Sequence, residues 1–584
     1  MCGILNIIDK KKRPLDRNAC GRALAKLYMR GPDFNFSYFP HDHIFLGQTV
    51  LSLVGEPKEN DNSYLWSKTK KYYISFNGEI YNYKELHHKF LKEKIHLDEK
   101  STDTEILVNL FEDLKKSDVP LELDGMYAFS IYDPKEKMLL IARDFQGEKT
   151  LYIYENHDYI IISSQVDAIL EFTGDLEINK SVLQDYFHTR HFLQIERHCF
   201  KGIRQLRPGM MERLDLTNFN WEKICERTPF DLVSETQYYK NSKLSFQDLT
   251  SELESLLKAS VKEMIPEKRA FGSVISGGID SSLLTSYACQ LGNPHLLIGV
   301  NHIGKDEISN QLNLFEKKLK RSISILDVDW LTYTAEIARC QKILSSPLLS
   351  HSFIGQSLQS AEVRRKGCKA LYGGEGADEL FGGYTSYKIN GPTEYNPSPY
   401  SGYFESPLKL HRDTQENLRN ELKTSWKHAQ NAYEFLANKD EAGVLSQMIC
   451  DLYHQISSVA MRGADLMSLM WGIETRSIFM RRDIVKFAVN LPLKYKIDLE
   501  HVNPNMRHKR ILKELFVKQF GQEFIFPKQG FAGFPNESKR ILGEINDFVV
   551  FDFLNIDRNQ SLSRDMEWKL INTEHFLRGL RIGK

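Results

Sequence analysis

The chain has 584 residues, with 77 Lys plus Arg against 77 Asp plus Glu, 41% hydrophobic residues and 11% aromatic residues. Balanced charge excludes a chain-wide basic field that would concentrate nucleic acid or an anionic membrane surface. The aromatic content excludes a disordered chain, and the length points to more than one domain. No apolar run reaches the roughly eighteen residues of a membrane-spanning helix. The opening segment MCGILNIIDKKKRP has no basic stretch ahead of its apolar one, so no secretory leader is expected and the cytoplasm is the expected location. The eight cysteines include no CxxC pair. That excludes a disulfide scaffold and a zinc ribbon, and leaves reduced structural cysteines, Cys2 excepted.

In chain order, the first half is strand-rich. Residues 72–76 (YYISF), 127–132 (YAFSIY), 138–142 (MLLIA) and 159–163 (YIIIS) are short β-branched or aromatic runs bounded by turn residues. Residues 104–114 (TEILVNLFEDL) carry a helical pattern. Residues 200–216 read as a closing hairpin that turns at Pro208-Gly209. Residues 217–243 have mixed charge and no clear period, and read as an irregular connection. The pattern predicts one domain over 1–210, a linker over 211–244 and a second domain over 245–584.

The second domain opens with Ser245 and Asp248 in an N-cap arrangement, followed by apolar residues at three- and four-residue spacing up to Met264. Strands are predicted at 270–275, 295–300, 322–328 and 369–372, with helices at 283–291, 309–320 and 355–366 between them. Such alternation predicts a parallel sheet covered on both faces, with ligands beyond the carboxyl ends of its strands. From about residue 433 the pattern is mostly helical.

Chemistry-bearing residues sit at the joints of this pattern. Removal of Met1 would give Cys2 a free α-amine able to act as base for its own thiol. Alone, a cysteine in that place is more often accidental. Asn77-Gly78 offers a side-chain and a backbone N–H, the donors an oxyanion hole requires, although Asn-Gly alone is more often a hairpin turn. Glu79 and Asp103 could hold an ammonium group. Ser276-Gly277-Gly278-Ile279-Asp280-Ser281-Ser282 lies between a predicted strand and a helix. Its backbone N–H groups, helix N-terminus and hydroxyls suit a polyanion, although the lysine of the GxxxxGK[ST] loop is absent. Gly373-Gly374-Glu375-Gly376-Ala377-Asp378 follows another strand, and acids among glycines suit magnesium, which takes a few carboxylates plus phosphate oxygens.

In conjunction these strings are no longer generic. MCGI, RGPD, FNGEIYNYKEL, TDTEILV, LDGMYAFSIYD and ARDFQGEKTLYI span about 1–210. SGGIDSS, GEGADELFGGY, MRGADLMSLMWGIETR and PKQGF span about 246–540. Together they resemble the asparagine synthetase family. The resemblance implies an α/β multi-domain protein: an N-terminal-nucleophile (Ntn-hydrolase) αββα sandwich, then a doubly wound α/β PP-loop ATP pyrophosphatase domain. It implies glutamine hydrolysis by Cys2, with Asn77 and Gly78 as oxyanion hole and Glu79 and Asp103 binding the amino-acid end of glutamine. It implies ATP bound by Ser276, Gly277, Gly278, Asp280, Ser281, Ser282, Gly373 and Gly374, and Mg²⁺ held by Asp280 and Asp378. Glu375 would help acceptor and ammonia react, and Lys528 would stabilise the pyrophosphate. Arg476 matches a family arginine, while Lys509 and Lys513 lie in KRILKEL without an assigned role. The best-known acceptor of the family is aspartate, and a homodimer is a further implication.

Two positions depart from the family pattern. Val50 stands where an arginine is expected to pair with the α-carboxylate of glutamine, and valine cannot clamp a carboxylate. Either a nearby arginine substitutes, or glutamine binds weakly, or ammonia or a different amide is the nitrogen source. The segment Ser477-Ile478-Phe479-Met480-Arg481 puts a basic residue where an acid is usual. If that segment shapes the acceptor pocket, the acceptor is another carboxylate, such as a sugar acid or a peptide or metabolite intermediate.

Overall fold

A computed structural model describes residues 2–55, 62–98, 100–189, 195–267, 269–302, 306–387, 394, 412–527, 547–557 and 564–580. Sixteen strands are present among them: β1 Cys2–Asp9, β2 Phe34–His41, β3 Ile44–Val50, β4 Tyr73–Ile80, β5 Gly125–Asp133, β6 Met138–Arg143, β7 Tyr152–Glu155, β8 Tyr159–Ser163, β9 Ile203–Gln205, β10 Met210–Asp215, β11 Trp221–Glu226, β12 Phe271–Val274, β13 Leu296–His302, β14 Ile323–Val328, β15 Ala370–Gly373 and β16 Glu474–Ser477. They form two antiparallel sheets, β2-β3-β1-β8-β7-β9 and β11-β10-β6-β5-β4, and one parallel sheet, β14-β13-β12-β15-β16.

The two antiparallel sheets face each other. Alternate residues of β1 divide between two cores: Ile4 and Ile8 pack between the sheets with Ile74, Phe76 and Phe129, while Leu5 and Ile7 pack outward against Cys20, Ala23, Val166 and Ile169 of covering helices. The period of two along a strand therefore turns Cys2 inward, toward β4. The result is the αββα sandwich that the sequence resemblance implies. Because both faces of β1 and β3 are buried, neither shows a polar–apolar alternation, and periodicity alone did not predict them.

The parallel sheet has helices on both faces. The helices Phe246–Glu263, Ile279–Leu291 and Arg510–Phe520 pack with Phe271 and Tyr372 on one side, and Val363 of the helix Ser352–Arg365 packs with Ile298, Leu371 and Ile473 on the other. Ser245 and Asp248 form the expected capping box. Among the described residues no helix is long and apolar enough to cross a membrane.

Three sequence expectations need correction. Asn77, Gly78 and Glu79 are not a turn after a strand; β4 runs on through them, paired to Ala128, Tyr127 and Met126. The segment 217–243 is not an irregular linker: β11 pairs with β10, and residues Glu235–Lys243 are helical. Charges on β11 hide an edge strand from hydropathy patterning. Pro208-Gly209 is not a hairpin turn, since β9 and β10 lie in different sheets; the hairpin closes after Asp215.

Candidate functional site

Cys2 starts β1, and its sulfur opens into a small cavity of about 30 Å³ between the sheets, room for a water or two. The Cys2 N–H donates to Asn77 Oδ1 at 3.1 Å. This places the nitrogen that would become the α-amine beside β4. The Nδ2 of Asn77 is buried with no hydrogen-bond partner. A buried amide donor left unmade is costly, so it marks a place prepared for an acceptor such as an oxyanion. Gly78 follows with φ 151°, and a Cβ there would sit 2.0 Å from the Met126 carbonyl oxygen, so only glycine lets β4 and β5 close at this point. Burial pushes the Cys2 thiol up, opposed by the Leu51 backbone and the Gln48 side chain beside the sulfur.

The same cavity is lined by Glu79, Asp103, Thr102, Val50 and Glu474. Asp103 opens the helix Asp103–Asp113; it accepts the N–H of Ile80 and of Thr104, both at 2.9 Å, and burial raises it to about 6. Glu474 was not among the expected residues. It arrives from β16 of the second domain together with Arg476, whose guanidinium pairs with Glu79 and, at 2.8 Å, with Glu474. Burial raises Glu79 to about 8 despite Arg476, while Glu474, though buried too, is held low by the guanidinium. One buried cation thus serves two of three buried acids. Val50 is buried in the wall, and among the described residues no arginine or lysine lines the cavity.

The loop 276–278 leaves β12 and enters the helix Ile279–Leu291. Ser281 Oγ accepts the Ser276 N–H at 3.0 Å and meets Ser276 Oγ at 2.9 Å, which folds the loop over the helix N-terminus. Ser282 is buried in that helix, its hydroxyl without a partner. The loop after β15 packs alongside. A Cβ on Gly373 would sit 2.1 Å from Glu375 Oε2, so glycine leaves room for that carboxylate to fold back. Glu375 is half-buried, one oxygen buried without a partner and the other 3.5 Å from Gln356 Nε2, and desolvation raises it. Gln356 and the buried Met480 bring two further elements against this loop.

Asp280 and Asp378, expected as magnesium ligands, converge on one cation. Lys509 Nζ lies 2.6 Å from Asp280 Oδ2 and 2.7 Å from Asp378 Oδ1. Burial works against this ammonium, yet the two carboxylates outweigh it and raise its pKa. The second oxygen of Asp280 is buried without a partner. Two carboxylates in the first turns of different helices, Ile279–Leu291 and Ala377–Phe381, aimed at one point, with a ligand-free oxygen, fit a divalent cation that takes its remaining ligands from phosphate and water. Lys528 lies outside the described residues, so its expected role has no geometry here. Lys513 instead donates to the Asn505 carbonyl.

Arg481 is held between the two domains. Its guanidinium pairs with Asp124 at 2.5 Å and Glu263 at 2.7 Å and lies over Tyr81. Arg482 donates to the Leu121 carbonyl at 2.6 Å. The departure from an acid at this point is thus accounted for by packing between domains. Arg30, from the RGPD turn, donates to the Cys2 carbonyl at 3.2 Å and to Asp465 of the second domain at 2.9 Å. No local signal marks Asp465, whose partner Arg30 is 435 positions away, and Glu474 meets the first domain only once the domains pack.

The glutamine amidotransferase domain family matches residues 1–223, and the asparagine synthase family matches residues 252–550, half of the chain. Glutamine-hydrolysing asparagine synthetase 1 of Bacillus subtilis is 28% identical over 403 residues, covering 66% of this chain and 60% of that protein. Glutamine-hydrolysing asparagine synthetase 3 of the same organism is 23% identical over 569 residues, covering 91% and 86%. A putative asparagine synthetase of Methanocaldococcus jannaschii is 24% identical over 474 residues, covering 78% and 70%. With both domains matched in order, this chain belongs to the asparagine synthase family.

Proposed function

We propose that the chain is an ATP-dependent, glutamine-hydrolysing amide synthetase. One observation carries the reading: β16, hydrogen-bonded beside the strand that leads to Glu375 and Asp378, also supplies Glu474 to the wall of the Cys2 cavity and, behind that wall, Arg476 to pair with Glu79. Two reactive centres that share a wall suit a reaction whose intermediate passes between them.

The Cys2 thiolate attacks the side-chain amide of the donor, and Asn77 Nδ2 and the Gly78 N–H take the developing oxyanion. The C–N bond breaks, ammonia leaves with the thiol proton, and water hydrolyses the thioester. Leu51, Leu53, Met126 and Leu469 form a buried apolar cluster joining residues of the Cys2 cavity to the second domain, which keeps bulk water out of the space between the two centres. In the second domain the acceptor carboxylate attacks the α-phosphate of ATP, pyrophosphate leaves, and ammonia displaces AMP from the acyl-adenylate. Glu375, half-buried and raised by desolvation, is suited to take the proton that ammonia sheds. Asp280 and Asp378 would hold Mg²⁺, which when bound neutralises phosphate charge, and Lys528 would meet the pyrophosphate. Aspartate is the acceptor that the names of the relatives support, and the pairing of Arg481 with Asp124 and Glu263 gives that departure a packing role. ATP use is consistent with the cytoplasm.

The test is a mass-resolved assay with Mg-ATP, aspartate and a donor labelled with ¹⁵N in its side-chain amide, beside ammonia alone and a Cys2→Ala variant. Labelled asparagine with AMP and pyrophosphate, lost in the variant and restored by ammonia, is the expected result. Failure to form AMP with aspartate from any nitrogen source would sink aspartate as acceptor.

A further inference from the structure

We propose that a cavity between the first domain and Met480 and Arg482 of the second binds a small carboxylate that also carries a primary carboxamide. The cavity measures about 140 Å³, room for several waters or one small organic molecule. None of its lining residues lines the Cys2 cavity. Gln146 is in its wall. That side chain is 4% exposed, and both ends of its amide, Oε1 and Nε2, are buried without a hydrogen-bond partner. The backbone holds it there: the Gln146 N–H donates to Asp144 Oδ1 at 3.1 Å. An unfilled donor and an unfilled acceptor on one buried amide are both costly. A carboxylate would fill only the donor, and an ammonium only the acceptor. A second primary carboxamide fills both, with its N–H on Oε1 and its carbonyl on Nε2.

The charges around the amide set the other end of the ligand. Arg227, Arg482, Asp124 and Asp231 also line the cavity. The two acids are engaged: Asp124 pairs with Arg481 at 2.5 Å, and Asp231 accepts the Thr228 N–H at 2.7 Å and the Thr228 hydroxyl at 3.0 Å. Arg482, half-buried, donates to the Leu121 carbonyl, and Arg227 is exposed; neither forms an ion pair among the described residues. A carboxylate meets there the planar forks it pairs with best. Leu123, Phe145 and Leu232 give apolar wall for the carbons between the two ends. Met480 closes one side and also presses on the loop that carries Glu375 and Asp378, since a Cβ on Gly376 would sit 1.9 Å from Met480 Cε. An occupant therefore bears on that loop through one side chain. A carboxylate with a carboxamide is also the kind of product that amidation of a dicarboxylic acid yields. Use of the site to sense product rests on the amide synthetase reading; the binding chemistry does not.

The probe is succinamate, which has both groups and no α-ammonium. Calorimetric titration of the full chain should show saturable binding with a Kd of about 1 mM or tighter, and at least tenfold weaker binding of succinate and of butyramide, each of which lacks one group. Gln146→Leu keeps the volume and removes the amide. It should weaken succinamate at least tenfold with a Tm no lower than that of the wild type, because an unfilled buried amide is gone. Arg482→Met should also weaken it at least tenfold. Succinamate should change the rate of ammonia-dependent amide synthesis at least twofold in the wild type and leave Gln146→Leu unaffected. No saturable binding, with water alone serving Gln146, would overturn the site, as would undiminished affinity in Gln146→Leu. Equal affinity for succinate or butyramide would overturn the ligand class. Gln146-dependent binding without a change in rate would overturn the sensing role. Gln146-dependent binding in a chain that makes no amide from any nitrogen source would uphold the site and sink the amide synthetase reading.

Discussion

A single guanidinium joins Arg30 to Asp465: it donates to both oxygens of that carboxylate, at 2.9 and 3.2 Å, and to the Cys2 carbonyl at 3.2 Å. Asp465 also accepts from Thr150 Oγ1 at 2.9 Å and lies 3.6 Å from Lys149 Nζ. All of these groups are buried, so a carboxylate of the second domain holds the strand of the first that carries Cys2. Removing one partner of a buried ion pair typically costs about 3–5 kcal/mol. Asp465→Ala should lower unfolding stability by about that much, measured by denaturant titration. Asp465→Asn keeps the shape. Its expected signature is a fall of about tenfold in kcat for amide hydrolysis, with ammonia-dependent synthesis within about twofold of wild type. Equal loss of both activities would mean the contact is merely structural.

Lys509 occupies the point where Asp280 and Asp378 converge. The resident ammonium must be displaced before a divalent cation binds both acids. Lys509→Met is therefore expected to tighten Mg²⁺ or Mn²⁺ binding in the absence of nucleotide by about tenfold or more, roughly 1.4 kcal/mol. Calorimetric titration of the two proteins checks this, and unchanged affinity would show that the ammonium and the ion do not compete.

Asp103 titrates near 6 because it is buried. The folded value lies above the ordinary 3.8, so its ionised form is disfavoured by the fold. That unfavourable contribution to stability is absent below about 3.8 and complete above about 6. Binding of a donor ammonium needs the ionised form. In a Cys2→Ala background, donor affinity should rise as pH increases from 5 to 7, and the rise should vanish in Asp103→Asn, read by calorimetry at each pH.

Arg481 ties Asp124 to Glu263. Arg481→Met should leave the KM for the acceptor within about twofold and lower unfolding stability by about 1–3 kcal/mol, since it strands a largely buried carboxylate. A large change in acceptor KM with stability preserved would return Arg481 to the acceptor pocket.

Much of this was readable in the sequence where chemistry and backbone geometry coincide. SGGIDSS and GEGADEL sit where strands end, because the ends of parallel strands are where glycine loops can approach a ligand. Cys2 and Asn77 were legible as a nucleophile and a donor, and the fold brings them within one hydrogen bond. What was not legible depends on contacts distant along the chain. Arg476 could be matched but not placed; its partner Glu79 lies 397 positions earlier. Glu474 and Asp465 look like ordinary helix-end and helix acids until the domains pack. The run from Trp221 to Glu226 hid as a strand because an edge needs charge to avoid pairing with neighbours.

The wall shared by β16 has an evolutionary corollary. Residues alternate along a strand, so Glu474 and Arg476 point one way into the first domain while Tyr372 and Gly373 of β15 hold the backbone in register from the side. An amidotransferase half grafted onto a foreign synthetase would bring Glu79 without its guanidinium and leave a buried acid uncompensated. The two halves of this chain are therefore not interchangeable parts; a change in either is constrained to arrive with its answer in the other.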